Sequence, residues 1–266
     1  MKKSIILITG NELRHLYFAS YLSSQKNIDL KLVIHESNIK LEKNDLYKKN
    51  NLIKKHVDLR NKTEKIFFKN FVKINKKYNF IKIKKGSINN EKNINLVKKE
   101  KTHYIISYGC SIISSEFISK FKNKIFNVHL GLSPYYKGSG TNFFPFVNNE
   151  LQFCGSTIMQ ISKKIDSGKI VHQVRPDFSL NDNIHTIGNK IIIKTAQELC
   201  KIIVKKKKFK FFKIKTKYKT RIYKRKDFTH EALALAIQNI KNNLVSNYVR
   251  KNRKLMERKY PIKKQL

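Results

Sequence analysis

Tryptophan is absent from the chain of 266 residues, and cysteine (3), proline (4) and glycine (9) are scarce. The three cysteines, Cys110, Cys154 and Cys200, are far apart and odd in number. None sits in a Cys/His cluster with metal-ligand spacing, so neither a disulfide framework nor a metal site is expected. No stretch approaches the ~20 consecutive apolar residues that a membrane span requires. The opening MKKSIILITG resembles a secretory leader, but its apolar run is short and Asn11, Glu12 and Arg14 follow at once. The expectation is a soluble, cytoplasmic chain with no membrane partner.

Acidic residues are also few, 18 against 58 basic ones, for a formal net charge of +40. Such an excess fits a polyanionic partner or a compositional bias. Lysine supplies nearly all of the positive charge, whereas dedicated phosphate readers favour the bidentate fork of arginine. Asparagine and isoleucine are inflated in parallel, which nucleic-acid binding does not call for. Compositional bias is the preferred account, and binding to nucleic acid is expected to be weak and non-specific. The field still draws anionic small molecules inward.

A hydrophobic content of 40% is enough for a folded core. SIILITG (4–10) is a short apolar run ending in glycine, followed by helical spacing of Leu13, Tyr17, Tyr21 and Leu22, then a second apolar run, DLKLVIH (29–35). This β-α-β opening predicts an α/β chain with a Rossmann-like, doubly wound, mostly parallel sheet. Residues 40–78 read as mostly helical, NFIKIKK (79–85) as a strand, and 86–101 as a turn and helix with Asn90 as cap. HYIISYG (103–109) and KIFNVHL (124–130) are two further buried strands around a short helix. CGSTIMQIS (154–162) and KIVHQVRP (169–176) form a hairpin turning at Asp166-Ser167-Gly168. A helix follows from Ile184 to Val204. Composition then shifts, and a boundary near 205 divides a core, 1–204, from a small strand-and-helix extension, 205–266. In the extension, alternating lysine and apolar residues predict one or two exposed strands. Asp227 or Thr229 is placed to cap a last helix.

Asn127 and His129 end one of the buried strands two residues apart, so both side chains lie on one face. Ligand sites of open parallel sheets gather at such strand ends. A carboxamide is a neutral hydrogen-bond donor, and an imidazole exchanges a proton near neutral pH. The pair suits holding a carbonyl oxygen and managing protons during acyl transfer, provided that a carboxylate orients the histidine. Asp166 is the candidate for that carboxylate.

The stretches NVHLGLSPYYKG and GSTIMQISKKIDSGKIVHQ resemble the 10-formyltetrahydrofolate-dependent formyltransferases. That family carries an Asn-x-His, a Pro-containing loop ending in a basic residue and glycine, a Gly-x-Thr-Ile strand and an Asp-x-Gly turn, in this order. The matching residues are Asn127, His129, Pro134, Lys137-Gly138, Gly155 to Ile158 and Asp166 to Gly168. The resemblance implies that Asn127 polarises the formyl oxygen, His129 stabilises the tetrahedral oxyanion, and Asp166 orients His129 and assists proton removal. It implies 10-formyltetrahydrofolate as co-substrate, with Cys110, Ser111, Ile112 and Ile113 offering backbone groups to the pterin. Gly131, Leu132, Ser133 and Pro134 would line the folate path.

For the acceptor, Gly10, Asn11 and Arg14 at a helix start, with Arg175, are candidates for holding an anion. The implied acceptor is a primary amine on an anionic small molecule, best matched in length by the nucleotide-linked amino-sugar formyltransferases. Phosphoribosylglycinamide formyltransferase is the alternative, ahead of a methionyl-tRNA formyltransferase, whose C-terminal barrel is larger than the extension here, or a non-catalytic nucleic-acid-binding module. The apolar stripe Leu233, Ile237, Ile240 and Leu244 calls for a covering surface, either the core or a second copy in a homodimer.

Overall fold

A computed structural model of the chain describes residues 2–37, 50–206 and 208–265. The strands are β1 (Lys3–Thr9), β2 (Ile28–Ser37), β3 (Phe80–Lys84), β4 (Tyr104–Tyr108), β5 (Ile125–His129), β6 (Tyr136–Gly138), β7 (Ser156–Gln160), β8 (Ile170–Val174) and β9 (Arg221–Tyr223). Seven of them make one sheet in the order β3-β2-β1-β4-β5-β7-β8, and β6 pairs separately with β9. Pairing is parallel from β3 to β5 and antiparallel at β5–β7 and β7–β8. Residues 4–9 of β1 are buried throughout, as a central parallel strand covered on both faces requires. The expected α/β, Rossmann-like sheet is therefore present, with its reversal of strand order between β1 and β4.

The helices are α1 (Leu13–Ser24), α2 (Asn51–Asn75), α3 (Glu91–Lys99), α4 (Ser115–Lys120), α5 (Phe144–Val147), α6 (Ile184–Lys205), α7 (His230–Lys241), α8 (Leu244–Asn247) and α9 (Arg253–Lys259). One apolar cluster joins α1, α2 and α6 to one face of the sheet, through Phe18, Phe68, Leu199 and Ile203. A second joins α3 and α4 to the other face, through Ile94, Val97 and Phe117. The expected helix over 40–78 runs from Asn51 to Asn75; its first ten residues lie outside the described part.

Helix starts follow local hydrogen-bonding chemistry. Asn50 accepts from the amides of Leu52 and Ile53, and Asn183 from those of His185 and Thr186. Thr229, not Asp227, caps α7 by accepting from Ala232, whereas Asp227 accepts from the Lys224 amide. Asn90 stands at the start of α3 without a side-chain cap bond. The N-cap of α1 is Glu12, one residue later than Asn11.

The extension departs from the alternating pattern. Of the one or two exposed strands expected, it forms one, the three-residue β9, and adds a single bridge from Phe212 to Ile170 at the edge of β8. Three of its aromatics pack one by one: Phe209 against Tyr104 and Phe126, Tyr218 against Phe153, and Tyr223 flat on Phe144 at 3.6 Å. Phe211 stays exposed under Lys169. Alternation alone cannot distinguish a strand from a chain whose aromatics wedge singly into separate gaps. The last helix is broken at Asn243, which adopts φ 65, a conformation asparagine tolerates better than most residues. Leu233, Ala236, Val245 and Tyr248 join a third apolar cluster with Tyr135, Tyr136 and Phe153, so the core itself covers part of the expected stripe.

His56 of α2 and His185 of α6 face each other with ring centroids 4.5 Å apart. Burial, with Arg60 nearby, pushes His56 down to about 4, and burial with His56 and Arg60 pushes His185 down to about 3. Unfolded histidines bind protons near ~6.5, so between that pH and the folded values the unfolded chain holds more protons. Stability should therefore be full above ~6.5 and fall as the pH drops from there towards ~4. Thermal unfolding across this window should show a progressive loss of Tm, weakened in His56→Leu/His185→Leu; a flat profile would contradict it.

Candidate active site

β5 ends in the sheet interior with Asn127 opposite Ser107 of β4 and His129 opposite Thr157 of β7. The hairpin loop between β7 and β8 returns Asp166 to this strand end, with φ 45. Aspartate is among the few side chains that visit the left-handed region at small cost. The Asp166 carboxylate then meets three groups at once. Oδ2 lies 3.3 Å from His129 Nδ1, Oδ1 accepts from Asn127 Nδ2 at 3.4 Å, and Oδ2 accepts from the Gly138 amide at 2.8 Å. Asn127, His129 and Asp166, which the sequence reading groups, are thus brought together.

The orientation of each group has a visible cause. The Ser107 hydroxyl donates to Asn127 Oδ1 at 3.0 Å, which turns Nδ2 towards Asp166 and leaves its second N–H available. His129 is 6% exposed, and its Nε2 lies 3.0 Å from the Tyr136 carbonyl oxygen. Both ring nitrogens therefore face acceptors, so a ring carrying two protons donates to both. A Cβ at Gly131 would lie 2.6 Å from His129 Nε2, so the absence of a side chain there makes room for the ring. Gly138 has φ 90, and a Cβ would come within 2.0 Å of the Tyr223 carbonyl oxygen.

The Gly131-Leu132-Ser133-Pro134 loop contains a cis Ser133–Pro134 bond. It is pinned by Thr157 Oγ1, which accepts from the Ser133 amide at 3.0 Å and donates to the Gly131 carbonyl at 2.7 Å. Leu132 is fully buried. In the loop after β4, the Ser111 amide donates to Glu36 Oε2 at 2.5 Å, and the Ile112 carbonyl accepts from Asn89 at 2.9 Å. Those two backbone groups are bonded within the protein, while the Ile112 side chain is 72% exposed. Ile113 is buried, and burial beside Glu36 pushes the Cys110 thiol up to about 12.

The anion candidates are placed differently. The Gly10 carbonyl accepts from His35 Nδ1 at 2.8 Å, and Asn11 is exposed. Arg14 donates to Glu64 at 2.7 Å and pairs with Glu12, so a resident carboxylate already stands at the start of α1. His15 accepts from the Glu12 amide and is held well below the ordinary imidazole range, first by burial and then by Arg14, His35 and Arg60. Arg175 is 7% exposed, and its guanidinium donates to the carbonyls of Gln152 at 3.1 Å, Glu257 at 3.5 Å and Tyr260. Its donors tie the end of β8 to the C-terminal helix, an attachment between elements that the local sequence around Arg175 does not signal.

Several contributors are absent from the sequence reading. Ser107, the Tyr136 carbonyl and the Gly138 amide touch the three residues, and Gln173 holds the Ser133 carbonyl of the neighbouring loop. Ser107 had a readable signal, the one serine in a strand of isoleucine and tyrosine, while backbone groups carry none. Among the described residues, no group of three or more His, Cys, Asp or Glu could hold a metal ion, and no helix is long and apolar enough to cross a membrane.

The family model described as formyl transferase matches residues 2–203, and the chain belongs to that family. The methionyl-tRNA formyltransferase of Finegoldia magna is 26% identical over 119 residues, covering 44% of this chain and 38% of that protein. The match thus spans well under half the length of that curated relative. The structure of phosphoribosylglycinamide formyltransferase from Anaplasma phagocytophilum superposes with a TM-score of 0.54 at 14% identity, covering 76% of this chain and 85% of that one. A 4-N formyltransferase from Francisella tularensis gives a TM-score of 0.54 at 16% identity, over 88% and 86% of the two chains. At these identities the likeness is one of fold.

The Asp166 carboxylate predicts a stability effect independent of any reaction. Asp166→Leu leaves the Gly138 amide without its acceptor and forces a bulkier side chain to φ 45. Denaturant unfolding should show a loss of about 1–3 kcal/mol. Asp166→Asn, which keeps an acceptor oxygen, should lose less.

Proposed function

We propose that the chain transfers a formyl group from 10-formyltetrahydrofolate to a primary amine on an anionic, phosphorylated small molecule, with a nucleotide-linked amino sugar as the acceptor. The observation that carries this reading is the single carboxylate of Asp166 reaching both Asn127 and His129. Acyl transfer to an amine needs an oxyanion donor and a proton acceptor at one carbon, and this arrangement supplies both.

In this reading the formyl carbonyl oxygen sits against the free N–H of Asn127 Nδ2. As the amine nitrogen bonds to the formyl carbon, the C=O electron pair moves to oxygen, where Asn127 and protonated His129 stabilise it. Asp166 accepts the proton lost from the attacking nitrogen, directly or through one water. The oxyanion then collapses, the bond from carbon to the folate N10 breaks, and N10 takes up the proton that Asp166 accepted, which restores the carboxylate. The folate lies along the Gly131–Pro134 loop, whose shape Thr157 fixes, and the exposed Ile112 gives an apolar surface for its pterin.

The choice of acceptor rests on the two ends of the chain. A phosphoribosyl acceptor would call for an open anion site at the start of α1, and Glu12 and its pair with Arg14 weigh against that. A tRNA acceptor would call for a nucleic-acid surface in the extension, where Phe209, Tyr218 and Tyr223 are packed against the core. Only Phe211 of the five aromatics from 209 to 223 is exposed, a poor platform for stacking several bases. The excess of lysine remains suited to drawing in a phosphorylated small molecule.

His129→Ala should lower the formylation rate by at least ~10²-fold, the scale of a lost oxyanion or acid–base group. Binding of tetrahydrofolate, measured by calorimetry, should change little, because the loops hold it. An unchanged rate in this variant, with an amine that the unaltered chain formylates, would remove His129 from the reaction.

A further inference from the structure

The short segment from Gly131 to Gly138 carries backbone groups on which the site depends. The Tyr136 carbonyl faces His129 Nε2 at 3.0 Å, and the Gly138 amide donates to Asp166 at 2.8 Å. Residues far along the chain hold this segment at both ends.

At the Tyr136–Gly138 end, β9 pairs in parallel with β6. The Arg221 amide donates to the Tyr135 carbonyl at 2.8 Å, and the Ser139 amide donates to the Tyr223 carbonyl at 2.9 Å. A three-residue ladder is weak alone, and side chains reinforce it. The Glu150 carboxylate collects Arg221 Nε at 3.1 Å, the Tyr218 hydroxyl at 2.6 and 2.7 Å, and the Tyr136 hydroxyl. The Glu150 side chain is 16% exposed and that of Arg221 41%, so the bonds to the tyrosine hydroxyls are better shielded from water than the one to Arg221.

At the Ser133 end, Gln173 is 1% exposed and bridges two segments. Its Nε2 donates to the Ser133 carbonyl at 2.8 Å, while its Oε1 accepts from the Lys263 amide at 3.1 Å. Its own amide donates to the Lys263 carbonyl at 2.7 Å. The peptide around Lys263 thus lies along the edge of β8 and fixes the amide of Gln173, which in turn fixes the loop.

We propose that the C-terminal extension is a positioning clamp for the 131–138 segment, with Arg221 and Gln173 as positioning residues that set the Tyr136 carbonyl and the Gly138 amide against His129 and Asp166. The clamp builds on the formyl-transfer reading for its effect on rate, and on geometry alone for its effect on the segment. Acyl transfer is sensitive to such placement, since a displacement of about 1 Å can cost up to ~10²-fold in rate.

The test uses the full chain with Gln173→Met and Arg221→Met, which keep side-chain bulk and the backbone bonds and remove the side-chain hydrogen bonds, and Arg221→Lys, which restores a charge for Glu150. Formylation of a nucleoside diphosphate-linked amino sugar by 10-formyltetrahydrofolate gives kcat and KM, and hydrogen–deuterium exchange reports on peptides covering 133–139. Both Met variants should exchange faster there and lose roughly tenfold or more in kcat, with the acceptor KM little changed. Arg221→Lys should recover most of the loss. Unchanged exchange in both Met variants overturns the clamp. Faster exchange at full kcat also overturns it, by leaving the bonds a purely structural role. If the unaltered chain formylates no amine, the functional reading fails, and the exchange measurement alone then decides the clamp.

Discussion

The site depends on one half-buried carboxylate, whose side chain is 10% exposed. Asp166 holds a left-handed backbone conformation at the tip of a hairpin and faces a strand end, a histidine and a backbone amide at once. A carboxylate removed from water needs donors to replace hydration, and here the donors are the groups whose geometry matters. The same bonds that offset its desolvation fix Asn127, His129 and β6 relative to one another. Satisfying the charge and organising the site are a single requirement.

The pattern extends through the molecule. Acidic residues are few, and several of them sit inside, where they fasten distant segments. Glu36 joins the Gly86 and Ser111 amides, Glu64 holds Arg14, Glu150 gathers Tyr136, Tyr218 and Arg221, and Asp182 holds the start of α6 through Thr186. The lysine excess lies mainly outside. In a chain of this charge a buried carboxylate readily finds cations and N–H donors, whereas an unpaired buried lysine would be costly. The high positive charge is therefore compatible with an ordinary α/β interior, and the scarce negative charges mark the points where segments are tied.

The sheet was legible because β1 and β4 are mostly apolar runs and β5 interrupts its apolar residues only with Asn127 and His129, and burial on both faces leaves little freedom in reading them. Asn127, His129 and Asp166 were legible as a group because a strand end, a turn and the order of neighbouring motifs converge on them. The extension was not. Alternating lysine and aromatic residues are consistent with strands, but Phe209, Tyr218 and Tyr223 each find a separate gap, and the tie from Arg221 to Glu150 joins residues remote in sequence. The start of α1 was half legible. A helix N-terminus attracts an anion, and Glu12 is that anion, supplied by the chain itself. Gln173 was hidden because an amide bridging two segments has no local signature.

The central claim is that the Asp166 carboxylate organises Asn127 and His129 for formyl transfer and accepts the proton of the attacking amine. The most direct measurement follows an isotope-labelled formyl group from 10-formyltetrahydrofolate to an amino-sugar nucleotide, comparing the unaltered chain with Asp166→Asn. The carboxamide keeps an acceptor for the Gly138 amide but cannot take the amine proton. The account predicts labelled formamide from the unaltered chain and a rate at least ~10²-fold lower from a folded Asp166→Asn protein. Transfer at the full rate by Asp166→Asn would contradict it.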